Sequence, residues 1–494
     1  MENYTRTAVR GAGFIFLFSV LGAIFSYSSR IFLSRHLTLE EFGLFFAVFA
    51  LFNFLALFKD FGLGQSMVRY ISLYRAKGNS NKVKTVILMS GTIQMILTLL
   101  VAVALIFLSD YLTKNYFKNE LAFPFLIILS VWYITGSLQG TIFQVFLGLR
   151  SYFLYSTRQF LRNFLYFVFL IILFYVGLGN LSPAYAWLAT SVVILIVFLP
   201  LVIHKFNIFK YKLVEKIKTS KELLLFGLPV TLTMVGSLVI SYTDTLMLTY
   251  FKTLEDVGVY NVILPTALFV LFIGKSLASV IFPMGSELEA KNQLKKLSSG
   301  LSIMIKYSIL FMFPVALSLI FFANTFLKLF FGSEYVVGVL AFRILIFGVL
   351  IYMLGEINNS TISSIGKPRK VTFIILIAAI LNVIMNLFLI PAYGMVGAAI
   401  STFSSYFVVS FMSSREISKL LGVLKFDFKS IFKTFLGGIL FFVALSLTEE
   451  ILSLNVWVEL VLSLVIASLI YILYLFISKL LSLNEVRAIV KKIF

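Results

Sequence analysis

The chain has 494 residues, of which 60% are hydrophobic and only 13% charged, with 41 Lys and Arg against 21 Asp and Glu. A soluble protein of this length carries nearly twice that charged fraction, and its surface could not hide so much apolar area. Cysteine is absent and only two histidines, His36 and His204, are present. That removes disulfides, thiolate chemistry and cysteine nucleophiles, and argues against a histidine metal site.

Apolar runs long enough to cross about 30 Å of hydrocarbon recur along the chain. They lie near 11–34, 42–60, 85–109, 121–146, 160–178, 184–203 and 224–249, and continue near 257–283, 303–323, 336–357, 371–391, 394–413, 430–447 and 456–478. The reading is an all-α polytopic membrane protein of about 14 transmembrane helices with short connections. The polar stretch Met1–Arg10 precedes a first span that lacks a small-residue cleavage site, so a retained helix is expected there.

The charge of +20 is distributed by loop. Arg69, Arg75, Lys77, Lys82 and Lys84 share one side with Arg150, Arg158, Arg162, the run Lys205 to Lys221, Lys291–Lys296, Lys367–Lys370 and the C-terminal tail. The other side carries Glu40, Glu41, Asp110, Glu120, Glu255, Asp256, Glu449 and Glu450, with few cations. The positive-inside rule then places both termini in the cytoplasm, in a plasma or inner membrane. The basic excess is a topology signal, reinforced by anionic headgroups, and no nucleic-acid partner is expected.

An internal repeat is visible. Thr38-Leu39-Glu40-Glu41-Phe42-Gly43-Leu44-Phe45 opens the second span, and Thr253-Leu254-Glu255-Asp256-Val257-Gly258-Val259-Tyr260 opens the eighth. Upstream in the same register, Tyr27-Ser28-Ser29-Arg30 matches Tyr242-Thr243-Asp244-Thr245. Six spans per copy give both halves the same orientation, a parallel repeat about an axis along the membrane normal. The expected organisation is an N-lobe over 1–203, a basic linker over 204–222, a C-lobe over 223–420, and a final helix pair with its tail over 421–494. Pro229, Pro265 and Pro314 fall within spans of the second half, which is therefore the expected seat of bending.

Further motifs are Lys59-Asp60-Phe61-Gly62-Leu63-Gly64 at the end of the second span, Phe226-Gly227-Leu228-Pro229 opening the seventh, and Gly258-Val259-Tyr260-Asn261 in the eighth. In their order, and with two six-helix halves plus a final pair, these resemble the multidrug/oligosaccharidyl-lipid/polysaccharide export superfamily. The resemblance is to its polysaccharide-biosynthesis branch of O-antigen-type flippases, related to lipid II flippases. It implies two pseudo-symmetric six-helix lobes that alternate between inward- and outward-open states. It also implies a lipid-linked oligosaccharide on a polyprenyl (di)phosphate as cargo, moved from the cytoplasmic to the outer leaflet. Membrane lipids and glycan-assembly enzymes are the implied partners, and a monomer suffices. Two other readings stay open. One is a drug or cation antiporter of the same superfamily, whose members usually stop at 12 helices. The other is a polyprenyl-dependent membrane glycosyltransferase or ligase, which normally needs a large outer domain. Neither an enzymatic role nor a cofactor is expected.

Charged side chains inside a membrane are costly and usually face a bundle interior. Arg30 and Lys275 are the candidate cationic sites for a diphosphate, with Asp244 and Asp60 as candidate gate or ion-pair partners, Arg30 with Asp244 and Lys275 with Asp60. Static helix-locking pairs and interfacial snorkelling are the competing roles. Arg150, Arg158 and Arg162 are placed where an arriving headgroup would meet them, the last two four apart on one helical face. The competing reading is that they are simple topogenic charges touching anionic lipid. Glu356, Asn358 and Asn359 form a polar cluster suited to a coupling H⁺ or Na⁺. Gly274-Lys275-Ser276 is no phosphate-binding loop, because Phe269 stands where the first glycine belongs and no strand precedes it.

Overall fold

The computed structural model describes residues 2–422, 428–451 and 455–481. Among them the chain is helical, with no strand. The helices are α1 (Glu2–His36), α2 (Leu39–Asp60), α3 (Leu63–Ala76), α4 (Ser80–Leu112), α5 (Ala122–Gly148), α6 (Tyr152–Leu173), α7 (Ser182–Lys205) and α8 (Lys216–Phe251). They continue with α9 (Leu254–Ala267), α10 (Leu271–Ala290), α11 (Leu294–Phe321), α12 (Ala323–Phe330), α13 (Val339–Ser364), α14 (Pro368–Leu421), α15 (Phe428–Ile451) and α16 (Val456–Ile477).

Ten segments of the described residues are long and apolar enough to cross a bilayer, and two bent helix pairs qualify when each is taken as one crossing. Two of the ten, Tyr152–Lys205 and Pro368–Leu421, run for 54 residues. Neither is a single rod. Residues 20 apart on a straight helix are separated by about 30 Å. Yet Asn382 Nδ2 reaches Thr402 Oγ1 at 3.5 Å across a break at Gly394, where φ is 55°. In the other stretch the rings of Tyr166 and Trp187 stack with centroids 4.3 Å apart. Each stretch is therefore a hairpin of two crossings, and the set is consistent with the expected count of about 14. Large apolar side chains such as Phe107, 84% exposed, face outward from these helices, as lipid-facing surface requires.

The chain divides after Val262 into two compact units. In the first, α1 lies along α6, α5 packs against α4 and α7, and α8 packs on α2, α3 and α4. Because α8 and the start of α9 belong to this packing, the division falls beyond the 204–222 segment. The short amphipathic α3 buries Leu63, Met67 and Ile71 at four-residue spacing, while Arg69 and Arg75 lie on its other faces. In the second unit α13 packs on α10 and α14, and α11 carries α15, itself paired with α16. Tyr471 of α16 donates its hydroxyl to the Leu310 carbonyl at 3.0 Å. α8 bends by 47° between Leu232 and Met234, one turn beyond Pro229.

The repeat is expressed in matching local structure. Thr38 Oγ1 accepts the Glu41 N–H and the Glu41 carboxylate accepts the Thr38 N–H, a capping box that starts α2. At the equivalent place Thr253 Oγ1 accepts the Asp256 N–H at 3.3 Å. The two helix starts then meet at their matching glycines. A Cβ on Gly43 would lie 1.8 Å from the Leu254 carbonyl oxygen, and one on Gly258 would lie 2.7 Å from that of Leu39. The contact is reciprocal, as a pseudo-two-fold crossing requires. At the far end of α2, Gly62 has φ +70°, and a Cβ there would lie 2.2 Å from the Gly227 carbonyl oxygen. Ser66 Oγ donates to the Leu223 carbonyl beside it at 2.9 Å. Backbone thus approaches backbone at both ends of α2.

Gly43→Ala is expected to destabilise the protein by about 1–3 kcal/mol, the usual cost of overpacking. Gly136→Ala, in the interior of α5 with nothing within 4 Å of its Cβ position, should be neutral or stabilising by up to about 1 kcal/mol. Thermal melts of the two purified variants in one detergent check both, with a lowered midpoint for the first alone.

Candidate functional site

The first unit encloses a chamber of about 340 Å³ between α1, α2, α5, α6, α7 and α8. Helical spacing explains its lining. α1 contributes Ser26, Ser29, Arg30 and Leu33, α2 contributes Phe45, Phe46, Phe49 and Asn53, and α6 contributes Gln159, Arg162, Asn163 and Tyr166, each set repeating at three- or four-residue intervals. α1 and α6 approach closely because Gly22 sits against the Gln159 backbone, and Asn163 Nδ2 donates to the Gly22 carbonyl at 2.9 Å. Trp132, Trp187 and Tyr242 complete the wall. Phe49, Trp132 and Trp187 form one cluster, with the Phe49 ring centroid 5.4 and 5.3 Å from the two indoles and the indoles 5.8 Å from each other.

Two guanidinium groups face this chamber, and among the described residues no Asp or Glu lines it. Arg30 donates to the Asn261 carbonyl, and its guanidinium carbon lies 4.4 Å from the Phe46 ring centroid. Arg162 Nη2 donates to Gln159 Oε1 at 2.9 Å, its guanidinium carbon lies 5.6 Å from the Trp187 ring centroid, and its buried Nε has no hydrogen-bond partner among the described residues. Asp244 is fully buried and accepts the Tyr260 hydroxyl, while Asn261 Nδ2 donates to Thr245 Oγ1 at 3.2 Å. Arg30 and Asp244 are thus brought to one junction, where α1 meets the α8–α9 hairpin.

A second chamber, of about 200 Å³, lies between α2, α4, α5, α6 and α8. Asp60 Oδ1 accepts from Gln94 Nε2 at 2.5 Å and from the Gly64 N–H at 3.0 Å, and Thr141 donates to Gln94 Oε1 at 2.9 Å. Lys59 and Arg158 also line it. The hydrogen-bond donors seen at Asp60 are therefore an amide side chain and a backbone N–H of its own unit.

The remaining sequence candidates fall elsewhere. Lys275 is an exposed residue of α10 in the second unit, whereas both chambers are built from residues of the first. Arg150 is exposed at φ 58° between α5 and α6. Arg150, Arg158 and Arg162, expected together at one end of a span, are distributed over three places. The reason is the start of α6. It begins at Tyr152, so Arg162 lies about 15 Å along the helix rather than near its end. Glu356 is half-buried and hydrogen-bonded to Tyr352. Asn358 Nδ2 donates to Ser414 Oγ at 3.0 Å, and neither amide atom of buried Asn359 has a hydrogen-bond partner among the described residues. The described residues hold no cluster of three or more His, Cys, Asp or Glu suited to a metal.

Sequence reasoning missed the pairing of Arg30 with Arg162 and the aromatic wall around them. A signal was present: Gln159, Arg162, Asn163 and Tyr166 recur at helical spacing in a stretch otherwise rich in Phe and Leu. A second missed feature is the buried polar seam inside the α14 hairpin, where Asn386 Nδ2 donates to Asn382 Oδ1 at 3.1 Å.

Residues 8–289 match the family described as polysaccharide biosynthesis protein, and residues 229–388 match the MatE family. An uncharacterized membrane protein of Methanocaldococcus jannaschii is 30% identical over 99% of both chains. The probable low-salt glycan biosynthesis flippase Agl15 of Haloferax volcanii is 23% identical over 84% of both. Among solved structures, the lipid II flippase MurJ in an inward closed conformation superposes with a TM-score of 0.77 at 16% identity, covering 93% of this chain and 97% of that one. The chain therefore belongs to the polysaccharide biosynthesis protein family, the O-antigen-type flippase branch of the multidrug/oligosaccharidyl-lipid/polysaccharide export superfamily, and is a multi-pass membrane transport protein.

Proposed function

We propose that this protein flips an oligosaccharide linked to a polyprenyl (di)phosphate from the cytoplasmic to the outer leaflet, by alternating access and with both termini in the cytoplasm. The observation that carries this reading is the first chamber, with two guanidinium groups, aromatic walls and no carboxylate among the described lining residues. A phosphate entering an apolar bundle loses hydration worth many kcal/mol, and it crosses only if fixed charge replaces that water. Guanidinium does so with planar paired donors matched to phosphate oxygens. The low-dielectric aromatic surroundings strengthen the attraction. Asn53, Gln159 and Asn163 add amide groups for sugar hydroxyls. The polyprenyl chain stays in the bilayer, so the chamber handles only the headgroup and glycan. A single chain is sufficient, and glycan-assembly enzymes supply the cargo. A cationic drug is a poor fit, because two like charges face it in low dielectric.

Arg30 has two roles in this cycle. It grips the headgroup when cargo is present and turns to Asp244 when it is not. Competition between these partners biases the inward–outward equilibrium. The Asn359 amide and the Glu356 carboxylate are the proposed seat of a coupling H⁺ or Na⁺.

In proteoliposomes carrying a fluorescent polyprenyl-diphosphate oligosaccharide, the wild-type protein should move label between leaflets and leave every glycosidic bond intact. Arg30→Gln and Arg162→Gln should each slow this by about tenfold or more, the loss of at least one charge-assisted contact, while Arg162→Lys should retain part of the rate. Unchanged rates in both glutamine variants would remove the chamber from the pathway, and cleaved or newly formed glycan bonds would make the protein an enzyme. Glu356→Gln should flatten the dependence of the rate on an imposed H⁺ or Na⁺ gradient. A gradient response equal to wild type would free Glu356 of that role.

A further inference from the structure

We propose that the second chamber is a separate anion site, built for a phosphate group and held by Lys59 and Arg158. The inference rests on the flippase reading for its biological ligand, but its geometry stands by itself. Lys59 ends α2 and Arg158 lies on the second turn of α6, and both line the same cavity of about 200 Å³. Each cation is placed by an aromatic face, with Lys59 Nζ 4.4 Å from the Tyr133 ring centroid and the Arg158 guanidinium carbon 5.4 Å from that of Phe143. Neither forms an ion pair with a carboxylate among the described residues.

Asp60 is the one acid among the described lining residues. Its Oδ1 already accepts two donors, from Gln94 and the Gly64 backbone, and Gln94 is fixed in turn by Thr141. The carboxylate is therefore turned into a hydrogen-bond network, and the two cations give the chamber a net positive charge. A ring face stabilises a desolvated cation only weakly, well below what a charged phosphate oxygen supplies. Positive charge held in a polar cavity by weak partners is what an exchangeable anion site requires.

Arg158 and Arg162 are four residues apart on α6, about 6 Å along its axis. The two chambers are therefore consecutive stations on one helix face, one at Lys59 and Arg158, the next at Arg162 and Arg30. With the cytoplasmic N-terminus of the proposed topology, the Lys59 station comes first. A charged group crosses faster over several moderate sites than through one deep trap, because it must be able to leave as well as to enter. One phosphate group would pass between the stations, or the two phosphates of a diphosphate would span them.

Binding of inorganic pyrophosphate to the full-length protein in nanodiscs, followed by phosphorus NMR and titration calorimetry, tests this. The wild type should show two occupied environments. The double variant Lys59→Gln/Arg158→Gln should lose one of them, with at least a tenfold weaker affinity there, and keep the other. Arg162→Gln should show the converse pattern. Arg158→Lys, which keeps the charge, should restore part of the lost affinity if the glutamine double variant folds poorly. The proposal is overturned if the wild type binds at one environment only, or if the double variant binds as the wild type does. In those cases the transport effect of Arg162→Gln still decides the flippase reading separately.

Discussion

The structure of the first unit is organised around the cost of holding positive charge inside a low-dielectric bundle. Arg30 and Arg162 face the same chamber, where backbone and amide oxygens and the faces of Phe46 and Trp187 are among the groups that support their charges. Such partners hold a guanidinium in place without neutralising it. The buried Nε of Arg162 is left with no hydrogen-bond partner among the described residues, an expense that a purely structural arginine would avoid.

That chamber keeps its shape because helices meet through backbone rather than through side chains. α2 forms one wall and is gripped near both ends, by Gly43 against α9 and by Gly62 against α8. Packing through glycine is a general way for helices in lipid to approach closely, since no hydrophobic gain drives them together. Here the two grips join parts of the repeat. Gly43 and Gly258 are equivalent residues that touch each other's helix, so one short motif, duplicated, supplies both halves of a contact. In the proposed transport cycle, any movement of these helices past one another would have to open such backbone contacts. Contacts of this kind are well suited to that because they carry little side-chain entropy.

Much of the fold was legible because lipid imposes simple rules. Span length, loop charge and the Thr-Leu-Glu repeat led to an all-α protein with the first-unit helices close to their observed positions. That Arg30 is a charge within an apolar run was legible as well, and it lines the first chamber. The rest of the site was hidden by a boundary. With the fifth span taken to start at 160, Arg158 and Arg162 looked like interfacial charges. α6 starts at Tyr152, and eight more residues of helix carry both arginines inward. Lys275 is placed differently. It stands in an apolar run as Arg30 does, yet its side chain is exposed on α10. A single charge in a span does not reveal which way its face turns, whereas Gln159, Arg162, Asn163 and Tyr166 together do. The supports of Asp60 were also out of reach, because Gln94 and Gly64 come from different helices that only the fold brings together.

In the proposed function, the headgroup of the cargo occupies the chamber between Arg30 and Arg162. The most direct measurement is a cryo-electron microscopy structure of the protein in nanodiscs with a bound polyprenyl-diphosphate oligosaccharide. The account predicts phosphate density within hydrogen-bonding reach of both guanidinium groups, with the lipid chain leaving toward the bilayer. Density for the diphosphate on the outside of the bundle, with the Arg30–Arg162 chamber collapsed or filled by side chains, would contradict it.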